Sequence, residues 1–248
     1  MTAVLPPPPL PRSAGAAAST WRVPSWTGSN TYRFSRHAVV TSDSVGESAL
    51  VFDTSGAEFL GRGVSAGEIR LTLTAPIGGR PAPEQVSAAF VNGRVAAQKE
   101  NAQSKPCNPT RSQLQSDLFD LAVTLPPTLS RQASWSDSLQ GNVCLAEIEG
   151  TADAVRHFQV VGDTTVNGEG AIMISRRDSA AIAAEGVVDQ HRTAASGTAA
   201  ANAILYVSVA SGKILRITKE QVLLLSIAAE GHTRAFTQKL TSTIDLIR

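Results

Sequence analysis

The stretch HTRAFTQKLTSTIDLI, residues 232–247, decides the fold. Phe236, Leu240, Ile244 and Leu246 share one parity, and Thr237, Thr241 and Thr243 share the other. Side chains of an extended strand point to opposite faces in turn, so this is a strand with one apolar face and one wet threonine face. A slip of one residue would bury every hydroxyl, so the register is well specified. The same period of two runs backwards through Leu223–Ala229, Lys213–Thr218, Ala203–Val209, His191–Ala195, Ala180–Val188 and Gly170–Ser175. Asn167-Gly168, Ser211-Gly212 and Glu230-Gly231 sit between these runs as turn dipeptides. The expected product is a meander of antiparallel strands.

Upstream the alternation is shorter but present. Tyr32, Phe34, Ala38 and Val40 share a face. Ser48–Phe52 and Ala57–Gly61 read as strands separated by a turn at Asp53–Gly56. Ile69, Leu71 and Leu73 alternate with Arg70, Thr72 and Thr74, and Val86–Val91 leads to an Asn92-Gly93 hairpin signal. Pro76–Pro83 interrupts the sheet, and Lys99–Asn108 reads as a loop. One helix is expected over 109–124. Asn108 caps it, Pro109 takes the first position, and Leu114, Leu118 and Leu121 form its apolar stripe with Phe119 and Ala122. The fold class is therefore mainly β: a curved antiparallel sheet, half-barrel-like, with one packing helix that crosses a sheet face or plugs a barrel mouth. Residues 1–28, with Pro6–Pro9, read as a flexible Pro/Ala-rich lead or tether ending in two anchors, Trp21 and Trp26, and residues 29–248 as a single β-rich domain.

Composition sets bounds on function. The 248 residues carry 22 basic and 21 acidic side chains, with no run of like charge, so no nucleic-acid footprint is expected. The Arg176–Arg177 pair reads as a solvated strand face. No apolar run reaches the roughly 18 residues that span a bilayer, which points to a peripheral or tethered protein. Cys107 and Cys144 could be buried thiols, a disulfide or half of a metal site. No ligand spacing accompanies them, and the disulfide reading is preferred, with an oxidising compartment as its corollary. No metal and no cofactor are expected.

Catalytic signals are weak. Gly63-Val64-Ser65-Ala66-Gly67 matches a nucleophile elbow, but the motif needs a strand before it and a helix after it, and a strand pattern follows instead. A hairpin loop is the expected reading, with a serine hydrolase using Ser65 as a remote alternative. Asp189 and His191 share a strand face as a surface pair. Asp117 and Asp120 share a helix face, and Glu147 and Glu149 a strand face; both pairs read as solvated.

Leu125-Pro126-Pro127, Trp135-Ser136-Asp137 and the segment from Tyr206 to Gly212-Lys213 resemble uncharacterised bacterial exported β-rich proteins. In outline these are similar to the periplasmic lipoprotein-carrier and lipoprotein-localisation half-barrels. The resemblance covers about half of the chain, and it implies a concave sheet around a helical plug, able to hold acyl chains. Those carriers have several plug helices, and this chain shows one. Two expectations of equal weight follow. One is a non-enzymatic periplasmic, cell-envelope or extracellular protein that binds a lipid or other apolar ligand between sheet and helix, at Leu114, Leu118, Leu121, Phe236 and Leu240. The other is a structural or interaction module of the envelope, with a protein partner and no ligand.

Overall fold

The computed structural model describes residues 20–44, 48–65, 68–75, 84–91, 94–97, 107–145 and 148–247. Most of the N-terminal lead, the Pro76–Pro83 interruption, the Asn92-Gly93 turn and most of the Lys99–Asn108 loop lie outside the described residues. In chain order the strands are β1 (Thr20–Arg22), β2 (Gly28–Ser42), β3 (Leu50–Ser65), β4 (Glu68–Ala75), β5 (Glu84–Val91) and β6 (Arg94–Ala97). Helix α1 (Pro109–Leu121) follows, then β7 (Thr128–Ser130), β8 (Ser134–Leu145), β9 (Ile148–Val166), β10 (Glu169–Val188), β11 (His191–Ser208), β12 (Ile214–Ala229) and β13 (His232–Ile247).

The antiparallel meander stands, but the sheet is not a half-barrel. Eleven strands close into a ring in the order β10-β11-β12-β13-β2-β3-β4-β5-β6-β8-β9. Two long-range junctions close it. β13 pairs antiparallel with β2, Ile244 opposite Phe34, and β6 pairs parallel with β8 over Arg94–Ala96 and Ser138–Gln140. A ring with an odd number of strands cannot alternate direction throughout, so at least one parallel junction is required. The α1 crossover between β6 and β8 supplies it, because the connection carries the chain back to the end at which β6 began.

Local boundaries differ from the sequence reading in instructive ways. Asp53–Gly56 is not a turn; β3 runs through it, with Thr54 opposite Arg36. The pairs of short runs at 170–188 and 191–209 are single long strands, joined at Asp189-Gln190, both at positive φ. Asn167-Gly168 and Glu230-Gly231 take positive φ at both residues, the two-residue hairpin geometry that matches strand twist. Helix α1 ends at Leu121, where the Ala122 N–H closes on the Leu118 carbonyl, three residues short of the expected end.

The core fills the lumen at one end of the barrel. Tyr32, Phe34, Leu60, Leu73, Phe158, Ile172, Ile174, Leu205 and Ile217 point inward there, around Leu114, Leu118 and Leu121 of the helix. Each fully buried Leu or Ile contributes about 1.5–3 kcal/mol relative to exposure. The short β1–β7 ribbon lies beside this end, and Trp21, Val23 and Trp26 pack on the core. The Trp26 ring also lies under the Arg62 guanidinium. Gly212, at φ +68°, lets the chain pass at Pro24, where a Cβ would sit 2.0 Å from a carbonyl oxygen.

Candidate functional site: a locked plug and an open strand edge

Helix α1 lies inside the barrel, packed on β4, β5 and β8. Its starting end is tied twice to β8, by the Cys107–Cys144 disulfide and by the Cys144 N–H donating to Ser112 Oγ. Asn108 caps the helix as the sequence predicts, accepting from the N–H groups of Thr110 and Arg111. Phe119 closes over Gly141, where a Cβ would come within 2.5 Å of the ring.

The carboxylates read as a solvated helix face are buried. Asp117 accepts from Arg36 and from Gln113. Asp120 accepts from Arg176 at 2.6 Å and is also paired with Lys219. Arg176 is therefore not on a wet face; it is 1% exposed, while its neighbour Arg177 is exposed. Arg156, also 1% exposed, makes a two-pronged contact with Asp137, Nε at 2.7 Å and Nη2 at 2.6 Å. The same guanidinium donates to the Phe119 and Ala122 carbonyls, satisfying the end of the helix. Strand periodicity does place Arg156 and Arg176 on the inner face, beside Phe158 and Ile174. That is the signal by which the layer could have been found.

The layer is electrically tuned. Burial, and then the neighbouring Asp117 charge, push the Glu58 carboxyl up to about 8, against the opposing pull of Arg36 at 3.6 Å. Burial also raises Asp117 and Asp178, each opposed by its arginine. Burial works to raise Asp120 as well, but Lys219 and Arg176 outweigh it and hold that carboxyl at about 2.

The space between helix and sheet is packed. Leu114, Leu118 and Leu121 are all core residues. A void of about 20 Å³, lined in part by Trp26, Tyr32, Leu60, Leu121 and Ile214, has room for about one water. Phe236 and Leu240 lie elsewhere. They are half-buried on the inner face, where Leu240 opposes Ala38 and Phe236 opposes Ser42. Beside them Val40 opposes Leu50, and Ala38 opposes Phe52. Leu50 and Phe52 are 58% and 50% exposed, and Val51 on the outer face is 56% exposed.

This region is open because the strands have unequal lengths. β4 pairs with β3 only from Phe59 to Ser65. Among the described residues, Leu50–Glu58 of β3 is paired on its β2 side alone. β8 is paired with β6 only at Ser138–Gln140, and helix α1 meets its edge further along, where the Cys144 N–H donates to Ser112 Oγ. The open β3 edge carries no Lys and no Pro, two residues that blunt edges elsewhere.

The catalytic candidates do not assemble. Gly63-Val64-Ser65 ends β3, and β4 follows antiparallel with Ser65 opposite Glu68, so the strand-then-helix setting of an elbow is not built. Ala66 and Gly67 lie outside the described residues. His191 binds Glu230 at 2.7 Å, while Asp189 forms the turn. Ser136 Oγ and His157 Nδ1 lie 2.7 Å apart on the exposed outer face. Among the described residues, no three His, Cys, Asp or Glu side chains converge on a metal position, and no helix is long and apolar enough to cross a membrane.

No protein-family model matches the chain, and no curated protein sequence matches it.

Proposed function

We propose that this chain is a non-enzymatic, exported interaction module whose working surface is the open edge of β3. The observation that carries the reading is the contrast within one barrel. The lower lumen is packed and cross-tied, whereas Leu50–Glu58 offers backbone groups with no strand partner on that side among the described residues, beside exposed Leu50, Val51 and Phe52. Such an edge binds another strand by main-chain hydrogen bonds, with alternate side chains setting specificity. The disulfide supports an oxidising compartment, and the resemblance to exported envelope proteins supports the periplasm or cell surface. The test is a photo-reactive phenylalanine analogue at position 52 in the full chain, irradiated in the producing cells. A discrete protein adduct that disappears in Val51→Lys supports the module. Its absence refutes it.

A second reading is favoured by the inner-face patch of Val40, Leu50, Phe52, Phe236 and Leu240. An apolar ligand such as an acyl chain would lie there, above the charged layer rather than against the helix stripe. Its affinity would come from area burial, at about 25 cal/mol per Å² less ordering costs. Co-purification of lipid, with uptake of a fluorescent fatty acid that falls in Phe52→Ser, distinguishes this reading from the first.

A further inference from the structure

We infer that the occupant of the open β3 edge is the same edge of a second copy of this chain. The inference rests on the interaction-module reading and names its partner. A two-fold axis perpendicular to a sheet places two identical edges antiparallel, so one exposed strand is its own complement. The edge is an uninterrupted strand from Leu50 to Glu58, without proline, so every second residue turns its N–H and C=O toward the open side. Its first three side chains are exposed and apolar on both faces at once, Leu50 and Phe52 inward and Val51 outward, and exposed Asp53, Thr54 and Ser55 follow them. Pairing with a second copy covers both faces, whereas a ligand seated in the lumen would leave Val51 in water. A formal net charge of +1 puts almost no repulsion between copies.

The charge on the edge selects the register. An axis through Asp53 would set Asp53 opposite Asp53, a like-charge cross-strand pair that destabilises. An axis through Phe52 sets Val51 opposite Asp53 and stacks the two rings. An axis through Thr54 sets Phe52 opposite Gly56 and pairs all of Leu50–Glu58. Both avoid the clash, whereas an axis at Ser55 or beyond leaves Leu50 and Val51 uncovered because Phe59 and Leu60 already pair with β4, so the proposed two-fold passes through Phe52 or Thr54.

The cysteines make a direct test available. The two native thiols are bridged, so an added cysteine is the sole free thiol. Phe52→Cys, Thr54→Cys and a control, Val187→Cys at a 69% exposed position on β10, would be oxidised mildly as full chains at matched concentration. A residue on the axis meets its own copy at disulfide distance, while a residue two positions away is more than 10 Å from its copy. Phe52→Cys or Thr54→Cys should form covalent dimer at least tenfold faster than the control. Sedimentation of the wild type should show a mass rising with concentration toward that of a dimer, and Val51→Lys should abolish the rise. Equal crosslinking at all three positions, or a wild type that stays monomeric, would overturn the inference. A monomer that still gives a specific adduct at position 52 with another protein would leave the interaction module standing and remove only the homodimer.

Discussion

At the scale of single residues, the protein is governed by buried charges, three of which, Asp117, Asp120 and Arg176, the sequence reading put in water. Arg156 holds Asp137 and two helix carbonyls in a place without solvent. Arg156→Ala would leave the carboxylate and both carbonyls unpaired, at a cost of roughly 3–5 kcal/mol. Urea unfolding measures it, and the double replacement Arg156→Met with Asp137→Leu should recover the part due to the unpaired carboxylate, while the Phe119 and Ala122 carbonyls stay unsatisfied. Glu58 sets the pH dependence. Its folded carboxyl sits at about 8 against an ordinary 4.5, so folding favours the protonated form. That contribution is complete below pH 4.5, declines as pH rises, and is gone above about 8. Asp120, held at about 2, acts in the opposite sense: its contribution is present above 3.8 and is lost as pH falls through 2. Stability should therefore peak near pH 4–5 and fall toward pH 8. In Glu58→Gln the fall between pH 5 and 8 should be markedly shallower. An unchanged slope in urea midpoints would show that Glu58 is not the group responsible. The sequence showed Asp117 and Asp120 on one helix face, but not that the face looks into a barrel. A carboxylate pair reads as solvated until its partners are known. Here those are Arg36, Arg176 and Lys219, up to 99 residues away in the chain.

At the scale of elements, α1 behaves as a plug fixed at both ends. The disulfide closes a separation of 37 residues between Cys107 and Cys144. On the chain-entropy model it is worth about 4 kcal/mol. The Cys107→Ser/Cys144→Ser double variant should lose about that much, with amides of the first helical turn exchanging sooner than those near Leu121. Thiol titration of the denatured, unreduced wild type should find no free thiol. Gly141→Val should displace Phe119 and cost about 1–3 kcal/mol through overpacking. These elements were legible where the signal is local. The capping Asn108, the leucine stripe and the Asn167-Gly168 and Glu230-Gly231 turns all came from short-range chemistry. The Asp189-Gln190 turn did not, because neither residue is glycine and the positive φ leaves no signature. Asp53–Gly56 misled for the converse reason. Its residues favour turns, yet pairing with β2 holds them extended.

At the scale of the whole molecule, periodicity gave a meander but not its closure. Alternation says which face of a strand is apolar and is silent on which strand lies beside it. The contacts that make a barrel, β13 with β2 and β6 with β8, join residues far apart in sequence. Nor could periodicity show the open edge, which arises because β4 is half as long as β3. The candidate site was legible only in part: Phe236 and Leu240 lie on the open inner face, but the helix stripe belongs to the packed core. The proposed function thus depends on one architectural feature, a ring closed at its packed end and, among the described residues, unpaired on one side along Leu50–Glu58. Residue-resolved hydrogen exchange on dilute full-length protein tests it most directly. Slow exchange is expected through the β6–β8 junction and along β9–β13, with every second amide of Leu50–Glu58 exchanging orders of magnitude faster. Protection of the whole Leu50–Glu58 segment in dilute solution, or rapid exchange at the β6–β8 junction, would contradict it.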